Sequence, residues 1–217
     1  MQRVVVTGMG PVTPIGVGAD AFLEGQHQAR NGIRTITRFD TSDLTVHIAG
    51  EVDVDVEAYI ERKEARRLDR FVQYALIGSE LAIADAGLSE DEVRGEHAGT
   101  CVGSGVGGLW SWEQQSLIRA ERGAMRMSPF FIPSVIANMA SGHVAMRFGL
   151  TGPSSSVVTA CASGSGAIID AMRVIQRGEA EIMVTGGAEA PITPMGIGGF
   201  AIMKALSTRN DDPAGAS

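Results

Sequence analysis

Apolar positions along this chain fall into two alternating patterns: short β-branched runs, and longer stretches repeating every three to four residues. The run at 3–7 predicts a buried strand, turned by Gly8-Met9-Gly10-Pro11. Asp20 is placed to cap a helix reaching about Arg30. Residues 31–60 are irregular, with a strand expected over 46–52. Leu68, Phe71, Val72, Ala75, Leu76 and Ile83 share one face of a helix expected over 63–86, with Gly87 as its stop. A strand over 99–102 leads into Gly103-Ser104-Gly105-Val106-Gly107-Gly108, and a helix over 109–122 follows. Ser128-Pro129-Phe130-Phe131-Ile132-Pro133 reads as a kinked apolar loop, with Pro133 in the first turn of a helix ending before Gly149. Then come a strand reaching Ala160, a helix over 162–177 stopped by Gly178, a strand over 181–185, and a tail rich in glycine and turns. Strands alternating with helices predict an α/β layered fold around a mixed, mostly parallel sheet.

With 217 residues, 44% of them apolar, the chain can bury a sizeable core. Glycine supplies 28 residues and aromatics only 5%, which suggests close helix–sheet packing and sharp turns rather than disorder. The formal charge of -7 argues against a general nucleic-acid binder. No apolar run approaches bilayer length, and the N-terminus lacks the apolar stretch of a signal peptide. A cytoplasmic location without a membrane partner is expected. Cys101 and Cys161 cannot form a disulfide framework, and neither they nor His27, His47, His97 and His143 show metal-ligand spacing. No metal is therefore expected. The last residues, 209–217, are polar loop sequence with no closing element, so the chain reads as one domain over 1–217 cut in mid-fold.

The chemistry concentrates at Val157-Val158-Thr159-Ala160-Cys161-Ala162-Ser163-Gly164. A strand ending in one cysteine, followed by small residues and a helical pattern, puts the sulfur at a helix N-terminus. Free N–H groups and the helix dipole favour a thiolate there, and a thiolate is the nucleophilic form. Small neighbours admit a substrate carbonyl and leave N–H groups to bind an oxyanion. The bland alternative is a buried cysteine acting as a small hydrophobe. Gly8-Met9-Gly10 fails the dinucleotide pattern, because Thr13 stands at its third glycine position and Pro11 lacks an N–H. The run 103–108 lacks a P-loop lysine and instead suits close backbone approach. His143, inside an apolar helix, reads as a packed histidine rather than a base for the cysteine. Arg62, Lys63, Arg66, Arg67 and Arg70 make a basic cluster in an acidic chain, with Arg66 and Arg70 at i, i+4 spacing. They form either a solvated face or a docking patch for an acidic protein.

These segments, with Arg38-Phe39-Asp40-Thr41-Ser42, Thr185-Gly186-Gly187-Ala188-Glu189 and Lys204-Ala205-Leu206-Ser207-Thr208-Arg209-Asn210-Asp211, stand in an order that resembles the N-terminal half of elongating β-ketoacyl-acyl-carrier-protein synthases of type II. The resemblance spans essentially the whole chain. It implies a thiolase-like fold, in which two similar halves pack as five αβαβα layers, and a homodimer. It also implies a decarboxylative Claisen condensation of acyl- and malonyl-carrier protein through an acyl-cysteine, as in fatty-acid elongation. No cofactor is implied beyond the phosphopantetheine of the acyl carrier protein.

By resemblance, Cys161 is the acylated nucleophile and its own N–H an oxyanion donor. Val106 limits acyl-chain depth, Phe131 and Ile132 reach the neighbouring subunit's tunnel, and Phe200 lies near the tunnel. Lys63, Arg66, Arg67 and Arg126 meet the acidic carrier. Ser165-Gly166 depart from the family pattern, as do Trp110 and Trp112. The family's histidines and lysine belong to the half that this chain lacks, so the fragment alone is expected to be inactive in condensation. Alternatives are a polyketide ketosynthase, or a non-catalytic dimerising or carrier-binding module.

Overall fold

In the computed structural model, which describes residues 2–216, helices and short strands alternate along the chain. Two antiparallel pairs come first: β1 (Val12–Thr13) with β2 (Gly16–Val17), then, after α1 (Ala19–His27), β3 (Arg34–Thr35) with β4 (Ile48–Ala49). Helices α2 (Arg62–Ala65), α3 (Arg70–Asp85) and α4 (Glu90–Val93) lead to β5 (Ala98–Gly103). Next stand α5 (Leu109–Arg122), α6 (Phe131–Val135), α7 (Met139–Phe148) and β6 (Ser154–Ser155). Helix α8 (Ser163–Gln176), β7 (Ile182–Gly187) and α9 (Pro194–Ile202) complete the order.

β5, β6 and β7 form one parallel sheet in the order β6-β5-β7, with Thr100 opposite both Ser154 and Val184. Alternation along the strands assigns the two faces. Ala98, Val102, Ile182 and Val184 pack with Phe71, Val72, Ile77, Val144 and Phe148 of α3 and α7. Cys101 and Met183 turn the other way, onto Ala167 and Ala171 of α8. The result is a helix–sheet–helix sandwich. Full burial of Phe71 and Phe148 contributes about 1.5–3 kcal/mol per side chain. The opposite flank of α8 is bare: Ile168, Ile169 and Met172 stay 50%, 45% and 38% exposed.

Most boundaries lie where the pattern put them, and the departures have physical reasons. Residues 3–7 form no strand, and Val5 and Val6 are exposed. Among the described residues nothing pairs with them, and a strand exists only as part of a ladder. The segment is instead pinned on α3, where Gly8 and Gly10 leave no room for a side chain against the carbonyls of Ala82 and Gly78. A cleft of about 720 Å³ separates it from the free edge of β7.

The helix expected over 63–86 is two helices. The first ends at Ala65, the chain turns through 66–68, and buried Asp69 caps the second, accepting the Phe71 N–H at 3.3 Å and the Ser111 N–H at 2.8 Å. Arg66 and Arg70 therefore do not share one helix face. The helix after Pro133 also breaks, at 136–138, before α7 ends at left-handed Gly149. Gly18, not Asp20, precedes α1, and the strand expected over 46–52 shrinks to β4. Beyond β6 the regular ladder is interrupted, the Val102 N–H donating to the Ser141 hydroxyl instead, although the Ser156 hydroxyl and the Val157 carbonyl still bond the β5 side.

Candidate functional site

The cysteine turn lies at the carboxyl ends of β5 and β7, the edge of a parallel sheet where ligands characteristically bind. Ala160 adopts φ +51, a left-handed conformation rare for a residue with a Cβ. The N–H groups of Ala162 and Ser163 donate to the carbonyls of Thr159 and Ala160, both at 3.1 Å. The buried Ser163 hydroxyl staples the turn: it donates to the Ala160 carbonyl at 2.7 Å and accepts the Thr159 N–H at 2.9 Å. Helix α8 begins at this serine, and Cys161 stands exposed just before it. Glycines let the turn sit so close to the sheet. A Cβ on Gly103 would fall 2.3 Å from the Ser163 carbonyl oxygen, and one on Gly187 would fall 2.8 Å from the Gly164 Cα.

The other cysteine has the opposite environment. Cys101 is wholly buried in β5, and burial pushes its thiol above the ordinary range while a hydrogen bond with Ser155 opposes the shift. Iodoacetamide applied to the native protein is therefore expected to alkylate Cys161 and spare Cys101 until denaturation. Peptide mapping checks this; comparable native labelling of both would contradict the exposures described.

The loop after β5 wraps a carboxylate. Glu189, just beyond β7, accepts the Gly105 N–H at 2.6 Å, the Val106 N–H at 3.1 Å and the Ser104 hydroxyl at 3.0 Å. A Cβ on Gly105 would lie 3.3 Å from the Ala160 carbonyl oxygen, so this loop and the cysteine turn are neighbours. Val106 itself is 49% exposed.

Phe131 and Ile132 are carried by α6 and Phe200 by α9, and both helices pack against α5. Phe131 meets Trp112 edge-on at 5.9 Å, while Ile132 is 60% exposed. α9, which carries Phe200, is anchored by buried Glu113 of α5. That carboxylate accepts the Met195 N–H at 2.8 Å and the hydroxyl of Thr193, the helix cap.

Lys63, Arg66, Arg67 and Arg126 are all exposed, and none joins an ion pair among the described residues. The Arg67 guanidinium lies over the Phe130 ring at 4.7 Å. Arg66 lines a polar hollow of about 300 Å³ with Arg70, Gln73, Trp110 and Gln114.

His143 lies on α7, on the sheet face opposite α8, and burial lowers its pKa against the pull of Glu64. His47 bonds Thr41 and His97 bonds the Glu92 carbonyl. Among the described residues no group of three or more metal-ligating side chains converges, and no helix is long and apolar enough to cross a membrane.

Ser163 and Glu189 did not stand out as functional in the sequence. The available signal was an acid ending a strand beside a glycine run with free N–H groups.

The family description "Beta-ketoacyl synthase, N-terminal domain" matches residues 1–217. A 3-oxoacyl-acyl-carrier-protein synthase 2 of Synechocystis is 49% identical over the whole chain, which covers 52% of that protein. The crystal structure of a beta-ketoacyl synthase from Burkholderia phymatum superposes with TM-score 0.87 at 30% identity, over 98% of this chain and 53% of that one. A type II polyketide ketosynthase in complex with its acyl-carrier protein superposes with TM-score 0.77 at 25% identity, over 95% of this chain and 56% of that one. The chain thus spans about half the length of the curated relatives it matches. Its fold is thiolase-like, and the chain belongs to the beta-ketoacyl synthase family through the N-terminal domain of those enzymes.

Proposed function

We infer that this chain is the acyl-accepting half of a 3-oxoacyl-acyl-carrier-protein synthase of fatty-acid elongation. The observation that carries the reading is the exposed Cys161 on a stapled turn at the carboxyl edge of the sheet, with its only fellow cysteine sealed in β5. In the reaction, the sulfur of Cys161 attacks the thioester carbonyl of the acyl-carrier protein. The Cys161 N–H donates to the oxygen that becomes negative. The carbon–sulfur bond to phosphopantetheine breaks, the freed pantetheine sulfur takes the proton that Cys161 lost, and an acyl-cysteine remains. Malonyl-carrier protein then loses carbon dioxide. Its carbanion attacks the acyl carbonyl, and the cysteine sulfur leaves. The groups that promote this second step belong to the half beyond this chain.

That second half also accounts for the bare surfaces. Residues 1–217 act as one domain, and the missing half covers Ile168, Ile169 and Met172 and completes the αβαβα layers. Lys63, Arg66, Arg67 and Arg126 form the docking face for the acidic carrier, and unpaired cations at a partly apolar surface support that role. Ile132, Phe131 and Phe200 serve the tunnel and the homodimer contact. The protein works in the cytoplasm without a resident cofactor. Higher identity to the fatty-acid enzyme than to the polyketide one supports the elongation reading over polyketide synthesis.

The test is to mix the full-length protein with acyl-carrier protein bearing a saturated acyl chain, then map the acylated peptide by mass spectrometry. Acyl mass on the peptide containing Cys161 is expected. Acyl mass elsewhere, or none, would overturn the reading.

A further inference from the structure

We propose that Glu189 is a positioning residue that sets the acyl-length limit by holding Val106. This rests on the reading above, in which Cys161 takes the acyl chain and Val106 bounds its depth. The carboxylate occupies a nest of backbone donors. One oxygen receives the successive N–H groups of Gly105 and Val106, and the other receives the Ser104 hydroxyl. Charge-assisted bonds of this kind are the stronger class. Ser104 is buried and passes the hold along, accepting the Gly107 N–H at 3.1 Å. Glu189 is exposed and among the described residues makes no ion pair, so these three donors are its protein partners.

Without the carboxylate, little else fixes the tip of the loop. The neighbouring anchors are at its ends, where the Ser104 N–H donates to Val157 at 3.3 Å and the Gly108 N–H to Val135 at 3.1 Å. Val106, half exposed, has its N–H held by Glu189 alone. The clamp is also stacked on the cysteine turn. A side chain at Gly105 would sit 2.9 Å from the Glu189 carboxylate and 3.3 Å from the Ala160 carbonyl oxygen. Moving the carboxylate therefore moves Val106 relative to Cys161, and an acyl chain growing from that sulfur feels the change only once it is long enough to reach Val106.

The experiment measures kcat/KM of the full-length enzyme for a short and a long saturated acyl-carrier protein, in wild type, Glu189→Ala, Glu189→Gln and Val106→Phe. Glu189→Ala is expected to change the long-to-short ratio by about 3- to 10-fold, less than the 10- to 200-fold that a single methylene commands in a rigid pocket. Single-turnover acylation of Cys161 by the short chain should stay within about 2-fold of wild type. Glu189→Gln keeps one accepting oxygen and should fall between. Val106→Phe should cut long-chain use. If Val106→Phe shifts the ratio while Glu189→Ala leaves it unchanged, or depresses every length equally, the proposal fails and the site reading survives. If Val106→Phe has no effect on the ratio, the placement of Val106 fails and the proposal with it. Should Glu189→Ala not fold, Ser104→Ala removes one of the three carboxylate bonds together with the hold on the Gly107 N–H, and it must shift the ratio in the same direction for the proposal to stand.

Discussion

Cys161→Ala in the full-length protein is expected to abolish acyl transfer from carrier to enzyme, a fall on the order of 10⁴-fold or more, as loss of a covalent nucleophile produces. The fold should not notice. The side chain is exposed, and the turn is held by Ser163 and by backbone bonds that alanine retains. Stability should therefore stay within about 0.5 kcal/mol, the usual range for a surface change that touches no special feature. The pairing of a lost activity with an unchanged melting temperature is the informative result. Cys161→Ser keeps a nucleophilic atom at the same place, but a hydroxyl needs an adjacent base to be activated, and the described residues put none beside it. It should acylate far more slowly than wild type yet measurably above the alanine variant. Intact-mass spectrometry after incubation with acyl-carrier protein reads both. An acyl adduct that persists in Cys161→Ala would sink the mechanism.

The elements around the site were the legible ones, because their signals are local. α5 has the boundaries its pattern implied, since Gly108 and Gly123 bracket an uninterrupted helical run and Gly123 takes φ +89. α8 and β7 agree within a residue or two for a similar reason. The cysteine turn was readable because small residues between a strand and a helix leave few conformations. What the sequence hid depends on partners distant along the chain. The run at 3–7 has strand chemistry but no ladder within residues 2–216. Asp69 looked like one polar residue within a helix, and its place as a buried cap rests partly on the Ser111 N–H, brought alongside by α5. Glu189 is one acid at the end of a strand in the sequence, and its partners depend on the β5–β7 pairing that sets it beside Gly105 and Val106. The exposure of Ile168, Ile169 and Met172 was likewise unreadable, because apolar positions on a helix signal burial without saying against what.

Gly103→Ala should damage fold and site together. Its added Cβ would lie 2.3 Å from the Ser163 carbonyl oxygen and 2.5 Å from the Ser163 carbonyl carbon. Both are backbone atoms, so no rotamer change can relieve the clash. Either β5 or the start of α8 must move. β5 is the central strand, paired to β6 and β7, and its residues are all buried. The first turn of α8 has the weaker anchorage and is expected to yield. Overpacking of this kind costs about 1–3 kcal/mol. The functional cost should be larger. Displacing Ser163 loosens both of its turn bonds, with Thr159 and Ala160, and swings Cys161 away from the acyl carbonyl. A misplacement near 1 Å can cost about 10²-fold in rate. Acylation by acyl-carrier protein should therefore drop about 10²-fold, while alkylation of Cys161 by the small reagent iodoacetamide, which needs no docked geometry, falls much less. Gly187→Ala, with its nearest contact at 2.8 Å from the Gly164 Cα, should show the same divergence more mildly. Equal losses in both assays would mean the cysteine is simply less exposed, and an unchanged acylation rate would show that the close approach of β5 to α8 does not position the nucleophile.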